Sequence, residues 1–427
     1  MAMPEAATRE SYYKSLEAQR ELPRGFTGAR RSISFVSEER GDGAALEMNL
    51  SLIAAEATLT GVAGVTTSNR FPGAPVVLAR EILDSREAPA GVIFNNKVAN
   101  VSVPRGLEDA RRITDSLAGA SGKRPWISLS TGVIGWRLPI REMVEAIPLL
   151  YADRHAQAGL EVAEAIMTTD RYPKLRRVEV GDGSILGVAK GAGMIEPNMA
   201  TMLSVILTDL HVDPGELERL FRDSVERSYN RIGVDGEQST SDAVLILSTG
   251  LAGPVSVNEF RDALGEVTGD LSRHIVRNGE GTGHVIRTEV KGIESRENAL
   301  YLARRVSNSP LVKSALYGND PNVGRVLMAL GDGLSDLHLE PSLGRLTIDI
   351  GGTRVFEDGG FLLTPEKERA LSESLATAAM DPEIKGYPQH EREVLVIVDF
   401  GDGNPGEVVW GSDLSYEYVR ENADYRT

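Results

Sequence analysis

The stretch Lys190-Gly191-Ala192-Gly193-Met194-Ile195-Glu196-Pro197-Asn198-Met199-Ala200-Thr201 holds residues whose types and spacing could do chemistry. A β-like run, Ile185–Ala189, leads into this glycine-rich loop, and an apolar run, Met202–Leu207, follows it. A threonine at the edge of a buried strand is often no more than a β-former. It can also be a nucleophile, provided that a base takes its hydroxyl proton. The residue's own α-amine is such a base, because an unperturbed pKa near about 8 leaves it partly neutral at physiological pH. That amine exists only after the Ala200–Thr201 peptide bond has been cut. On the residues alone, both readings of Thr201 stand.

Other chemistries are poorly supplied. The six histidines, at 155, 211, 274, 284, 338 and 390, show no zinc-helix spacing, and none sits beside a serine nucleophile elbow. There is no cysteine, which removes disulfides, thiolate metal sites and cysteine nucleophiles together. Gly401-Asp402-Gly403-Asn404-Pro405-Gly406 has the letters of a dinucleotide fingerprint. Pro405 lies inside it, however, and a β-like run, Glu407–Trp410, follows where a helix is needed, so a turn is expected. No metal and no cofactor are expected. A formal net charge of -16 argues against nucleic acid and against an anionic membrane surface. No run approaches the roughly 18 apolar residues of a membrane span, and the charged N-terminal segment lacks a signal-peptide core. A cytoplasmic enzyme is the expectation.

The 427 residues suffice for two domains or one large one, and 44 glycines with 5% aromatics imply an aliphatic core with many tight turns. Residues 1–24 look like an appended segment, helical at most between about Ser11 and Leu22. Amphipathic stripes predict helices through Leu107, Ala110, Ile113 and Leu117, and through Phe260, Leu264, Val267, Leu271 and Ile275. A further helix begins at Asp213-Pro214-Gly215-Glu216, where Asp213 can cap and Glu216 can complete a capping box. Its stripe is Leu217, Leu220, Phe221 and Val225. Strands are expected at Val76–Leu78, Val92–Phe94, Ile185–Ala189, Met202–Leu207, Leu346–Ile350 and Val394–Val398, with a hairpin turn at Gly351-Gly352. The pattern is that of an α+β protein in which helices cover sheets.

The loop ending in Thr201 resembles the cleavage motif of the ornithine acetyltransferase (glutamate N-acetyltransferase) family of arginine biosynthesis. Blocks similar to that family's lie before it at Ser68–Val76 (SNRFPGAPV), Ser130–Gly135 (STGVIG) and Ala165–Asp170 (AIMTTD). Others follow it at Ser239–Asp242 (STSD), Asn278–Gly281 (NGEG), Gly318–Arg325 (GNDPNVGR) and in the tail Asp413–Thr427. The resemblance implies a layered α/β/β/α sandwich of the self-processing N-terminal-nucleophile type, with a second, smaller α/β domain. It implies cleavage between Ala200 and Thr201, giving an α fragment (25–200, after the 1–24 extension) and a β fragment (201–427). The two fragments would stay together, and αβ units would pair further into a homo-oligomer.

By the same resemblance, Thr201 takes the acyl group of an N-acyl amino acid such as N-acetylornithine and passes it to glutamate in a ping-pong sequence. The Thr131 hydroxyl and the Gly132 N–H would stabilise the oxyanion; taken alone, Ser130-Thr131-Gly132 is an ordinary polar turn. Lys190 matches a substrate-binding lysine near the nucleophile. Glu280 matches a glutamate that receives the substrate's amino end, and Asn422 and Thr427 match tail residues that reach the site. Thr168 and Thr169 cover one substrate contact without deciding between them.

The family's pattern is broken at three places. Asn95-Asn96-Lys97-Val98-Ala99-Asn100 stands for the usual Gly-Asn-Ala-Asn run, Gly233–Gln238 replaces a run often rich in Asp and Thr, and Val323 stands for a tryptophan. The acyl-transfer residues are intact, so these departures bear on donor and acceptor and suggest a specialised relative, for instance in secondary metabolism. A hydrolase or aminopeptidase of the same architecture, and an uncleaved non-catalytic relative, are the competing expectations.

Overall fold

Residues 8–196, 202–340, 343–403 and 405–424 are described by the computed structural model, and the chain divides into two units. The first holds residues 8–230 and 237–275; the second holds 231–236 and the chain from Val276 onward.

The chain opens with α1 (Arg9–Glu17), β1 (Phe26–Val36), β2 (Ala45–Ala55), β3 (Gly61–Thr66) and α2 (Ala74–Ser85). Next come β4 (Gly91–Asn95), α3 (Gly106–Ser121), β5 (Ile127–Ser130), α4 (Ile140–Ala152) and α5 (Gly159–Ala165). Then follow β6 (Lys174–Val180), β7 (Gly183–Lys190), β8 (Leu203–His211) and α6 (Pro214–Arg227). The short β9 (Ile232–Gly233) belongs to the second unit; β10 (Ala243–Pro254) and α7 (Val257–Arg277) complete the series.

The first unit is built on two sheets, ordered β1-β2-β4-β5 and β3-β10-β8-β7-β6. Helices α3 and α4 pack together and cover the four-stranded sheet, where Leu50, Leu52, Ile93, Trp126, Leu117, Ile147 and Leu150 form one core. Helix α6 lies on β3, and α7 comes down on β7 at Gly187, where a Cβ would stand 2.6 Å from Leu271 and 2.7 Å from Val267. Helices α2 and α5 each touch strands of both sheets. The α/β/β/α expectation and the α+β class agree with this arrangement.

The helix starts follow from sequence. Asp213 caps α6 by accepting the N–H groups of Gly215 (3.0 Å) and Glu216 (3.4 Å), and Pro214 occupies the first turn. Glu216 does not close a capping box; its carboxylate pairs with Arg219 one turn on. The strand expected at Val76–Leu78 is a correction: these residues lie in α2, with Pro75 in the first turn and Pro75, Val76, Leu78 and Ala79 buried on one side. Three apolar residues are too few to separate a period of two from one of 3.6. The expected appended segment carries α1, whose Tyr12 and Leu16 are buried and whose Tyr12 hydroxyl donates to Pro173 O at 2.7 Å.

The second unit continues with β11 (Val285–Lys291), α8 (Arg296–Asn308), α9 (Pro310–Tyr317), α10 (Val323–Asp336), β12 (Thr347–Ile350) and β13 (Thr353–Glu357). It closes with β14 (Gly360–Phe361), α11 (Pro365–Ala376), β15 (Val394–Asp399), β16 (Glu407–Ser412) and α12 (Tyr416–Ala423). Its single sheet runs β14-β13-β12-β15-β11-β16-β9, and Gly351-Gly352 makes the expected hairpin between β12 and β13. Val290, Leu302, Val306, Leu330, Ile348 and Val396 lie in its core, joined by Val323 at the start of α10. The family departure at Val323 is therefore a change in packing. Among the described residues, no helix is long and apolar enough to cross a membrane.

Candidate active site

Strand β7 is buried along its whole length, from Gly183 to Lys190, and pairs antiparallel with β8 in a register that sets Lys190 opposite Leu203. The last residue of β7 is thus held beside the strand that follows Thr201. Lys190 is only 2% exposed, and its Nζ donates to Thr131 Oγ1 at 2.9 Å. An ammonium can only donate, so Thr131 Oγ1 accepts here and its own proton remains to be given elsewhere. Lys190 and Thr131, expected to act together, are brought together.

Parallel strands β4 and β5 deliver the Ser130-Thr131-Gly132 turn. Ser130 Oγ donates to Asn95 Oδ1 at 2.6 Å, and Asn95 Nδ2 donates to Val98 O at 2.8 Å. The N–H groups on either side of Gly132 are both used: Thr131 donates to Asn95 O (3.1 Å) and Val133 to Lys97 O (2.8 Å). The Gly132 N–H has no hydrogen-bond partner among the described residues. Gly132 has φ +126°, and a Cβ there would overlap the Lys97 backbone. Only glycine fits a turn that must both lie against the 95–98 segment and leave one N–H to spare. The segment that departs from the family pattern, Asn95–Asn100, is therefore the platform under the proposed oxyanion donors.

A buried charge network next to these residues was not singled out from sequence. The Lys174 and Asp170 side chains are 0% exposed, and Lys174 Nζ donates to Asp170 Oδ1 at 2.6 Å. The same carboxylate accepts the Gly191 N–H (2.9 Å) and, through Oδ2, the Thr168 N–H (3.0 Å). Asp170 so ties the Thr168-Thr169 loop to the head of the glycine-rich loop beside Lys190. Burial alone would push its carboxyl up, but the Lys174 and Lys190 ammonium groups and the Gly191 N–H outweigh it and hold the pKa at about 2. Spacing gives little signal for such a pair, since charges four residues apart usually mark a solvated surface.

Ala200, Thr201 and Thr427 lie outside the described residues. In the second unit, Glu280 and Asn422 are brought together: Asn422 Nδ2 donates to Glu280 Oε2 at 2.9 Å. Ser415, the N-cap of α12, donates its hydroxyl to Gly281 O at 2.6 Å, which holds the helix against the Glu280 loop. Beneath that loop, Asp413 accepts from the Gly283 N–H (2.9 Å) and lies 2.8 Å from His284 Nδ1. The Gly233–Gln238 departure also reaches this face, because Tyr418 Oη donates to Asp235 Oδ2 at 3.4 Å. Gly281 has φ +64°, and a Cβ would overlap the Tyr418 backbone nitrogen. Gly281→Ala is expected to destabilise the second unit by about 1–3 kcal/mol. Thermal melting checks it; an unchanged midpoint would mean that the loop yields to the added methyl without cost.

The profile of the ArgJ family matches residues 40–427. Glutamate N-acetyltransferase Oat2 of Streptomyces clavuligerus is 35% identical over 409 residues, covering 95% of this chain and 98% of that protein. The arginine biosynthesis bifunctional protein ArgJ of Nitratidesulfovibrio vulgaris is 37% identical over 416 residues, covering 95% and 99%. Among solved structures, the arginine biosynthesis bifunctional protein ArgJ of Bacillus halodurans is 32% identical, covers 52% of this chain and 99% of its own, and has a TM-score of 0.45. A profile match from residue 40 to the last residue, with relatives covered almost end to end, places the chain plainly: it belongs to the ArgJ family.

Proposed function

We propose that the chain is a ping-pong amino-acid N-acyltransferase that cuts itself between Ala200 and Thr201 and uses the freed Thr201 as its nucleophile. It moves an acetyl or related acyl group from an N-acyl amino acid such as N-acetylornithine to glutamate or a similar amine. The observation that carries this reading is the pair of donors at Thr131 and Gly132. The hydroxyl is fixed by Lys190 and the N–H is unengaged among the described residues, on a strand register that sets Lys190 opposite Leu203, two residues along the chain from Thr201. Relatives named as glutamate N-acetyltransferases support the transferase reading.

In the first half-reaction the Thr201 amine takes the hydroxyl proton, Oγ attacks the acyl carbonyl, and the amine of the leaving amino acid departs with that proton. The developing oxyanion needs donors already in place, which Thr131 and Gly132 offer. The acyl-Thr201 ester then transfers to the acceptor amine by the reverse sequence, two easier steps replacing one hard one. Glu280, held by Asn422, supplies a carboxylate for an ammonium group of the substrate. The α and β fragments remain one enzyme, and αβ units pair further in the cytoplasm. The departures at Asn95–Asn100 and Gly233–Gln238 favour a donor or acceptor other than the ornithine–glutamate pair.

Intact-protein mass spectrometry of the wild type beside Thr201→Ala tests the reading. Two fragments breaking at Ala200/Thr201 in the wild type only, with one acyl mass added to the β fragment by the donor, are expected. A single uncut chain in both would overturn it in favour of a non-catalytic relative. Acetate released without any acceptor would turn the transferase into a hydrolase.

A further inference from the structure

The segment that joins β4 to α3 holds a strained lysine. The Val98 N–H donates to Asn96 O at 2.9 Å, closing a γ-turn about Lys97, whose φ is +71°. A residue with a Cβ is strained in such a turn, and glycine would occupy it at less cost. The turn is nonetheless held firmly. The Asn96 N–H donates to Asn49 O (3.2 Å), and Asn96 Oδ1 accepts the Asn49 N–H (2.8 Å). Asn95 Nδ2 holds Val98 O at 2.8 Å.

These bonds fix where the Lys97 side chain starts. The Lys97 backbone is the wall against which Gly132 lies: a Cβ on Gly132 would stand 2.6 Å from Lys97 Cα. The neighbouring Asn96 Nδ2 donates to Met167 O at 3.0 Å, one residue before the Thr168-Thr169 loop. The Lys97 side chain is exposed and makes no hydrogen bond or ion pair among the described residues. Two other ammonium groups of this region are committed, Lys190 to Thr131 Oγ1 (2.9 Å) and Lys174 to Asp170 Oδ1 (2.6 Å). A lysine that serves only water has many relaxed surface positions open to it. One held at φ +71° against the Thr131–Gly132 turn stands where strain and function tend to coincide.

We propose that Lys97 selects the acyl group, receiving a carboxylate carried at the far end of a short acyl chain. This rests on the reading of Thr131 and Gly132 as the oxyanion donors. With the acyl carbonyl oxygen on those donors, the rest of the acyl group begins beside the same turn. It stays there through both half-reactions, while the amino acids on the other side of the carbonyl exchange. A flexible four-carbon stem ending in an ammonium is long enough to follow a short dicarboxylic chain and pair with its free carboxylate. An acetyl group would leave that cation nothing to bind. The acyl class is therefore the half-amide of a short dicarboxylic acid, such as a succinyl group.

The test offers the enzyme N-succinyl, N-succinamoyl and N-acetyl derivatives of ornithine and of glutamate. Intact-mass spectrometry then times the appearance of each acyl mass on the β fragment. Succinyl and succinamoyl groups have nearly the same shape and differ in charge. Expected is a second-order acylation rate about 10-fold higher or more for succinyl than for succinamoyl, the worth of one charge-assisted hydrogen bond. That ratio should shrink as salt is added. Lys97→Met and Lys97→Gly should bring it close to one, and Lys97→Arg should keep it. The ratio is the readout because a displaced turn slows all donors alike, and Lys97→Gly is free of strain at this φ. Equal wild-type rates from succinyl and succinamoyl donors, or a preference that survives in Lys97→Met, overturn the proposal while leaving the oxyanion donors untouched. So does an equal loss with all three acyl groups, which would assign Lys97 to a feature that every donor shares. No acyl mass on the β fragment from any donor overturns the acyl-transfer reading itself.

Discussion

Gly132→Ala is expected to lower kcat for acyl transfer about 10³-fold, with a much smaller change in KM. Loss of one oxyanion donor commonly removes about 10²–10³ in kcat. Here the substitution does more than remove a donor. Alanine cannot adopt φ +126° without strain, and its Cβ would overlap the Lys97 backbone, so the whole turn must move. Thr131 moves with it and loses its 2.9 Å contact with Lys190 Nζ, so on the mechanism proposed above both donors leave the place where the negative charge develops. Binding of the ground-state substrate depends on other groups, which is why KM should change little. Thr131→Val is the milder control, removing one hydroxyl while keeping the turn, and Thr131→Ser should retain most of the rate. Steady-state kinetics with the N-acyl donor and amine acceptor that the wild type turns over best read all three. Wild-type kcat in Gly132→Ala would remove Thr131 and Gly132 from the oxyanion role.

Why the sequence exposes some of this site and hides the rest is a matter of range. Lys190, the glycine-rich loop and the following strand are contiguous, so their order is already a local arrangement, and β7 and β8 fold as that order implies. The Thr131–Gly132 turn is a common polar tripeptide; its significance lies in Lys97 and Asn95, which reach it only when β4 and β5 pair. Asp170 and Lys174 are the clearest case of hidden information. Their types suggest a wet surface, and nothing local says that both side chains end at 0% exposure. Val76–Leu78 failed for the opposite reason, since local preference for β structure was outweighed by a proline-initiated helix that buries the same residues. Burial, more than residue type, separates a functional carboxylate from a solvated one, and burial is a property of the whole fold.

The Asp170–Lys174 pair makes the other large prediction. Asp170→Asn removes the counter-charge of an ammonium that is 0% exposed, and breaking a buried pair from one side costs about 3–5 kcal/mol. That is a large share of the roughly 5–15 kcal/mol that holds a domain folded, so the variant should melt far below the wild type. Adding Lys174→Met removes the stranded charge, and most of the lost stability should return, because apolar replacements of buried pairs are often close to neutral. The wild type also carries a pH signature. With the folded pKa at about 2 and the free value 3.8, Asp170 contributes about 2 kcal/mol that is fully present above pH 4. It is lost as pH falls from about 4 to about 2, and the double variant should lack that limb in denaturant titrations. Activity separates charge from position: the carboxylate also accepts the Thr168 and Gly191 N–H groups, so restored stability should not restore kcat. A double variant that recovers both would mean that Asp170 serves the core alone, and the Thr168-Thr169 loop would then be held for substrate by something else.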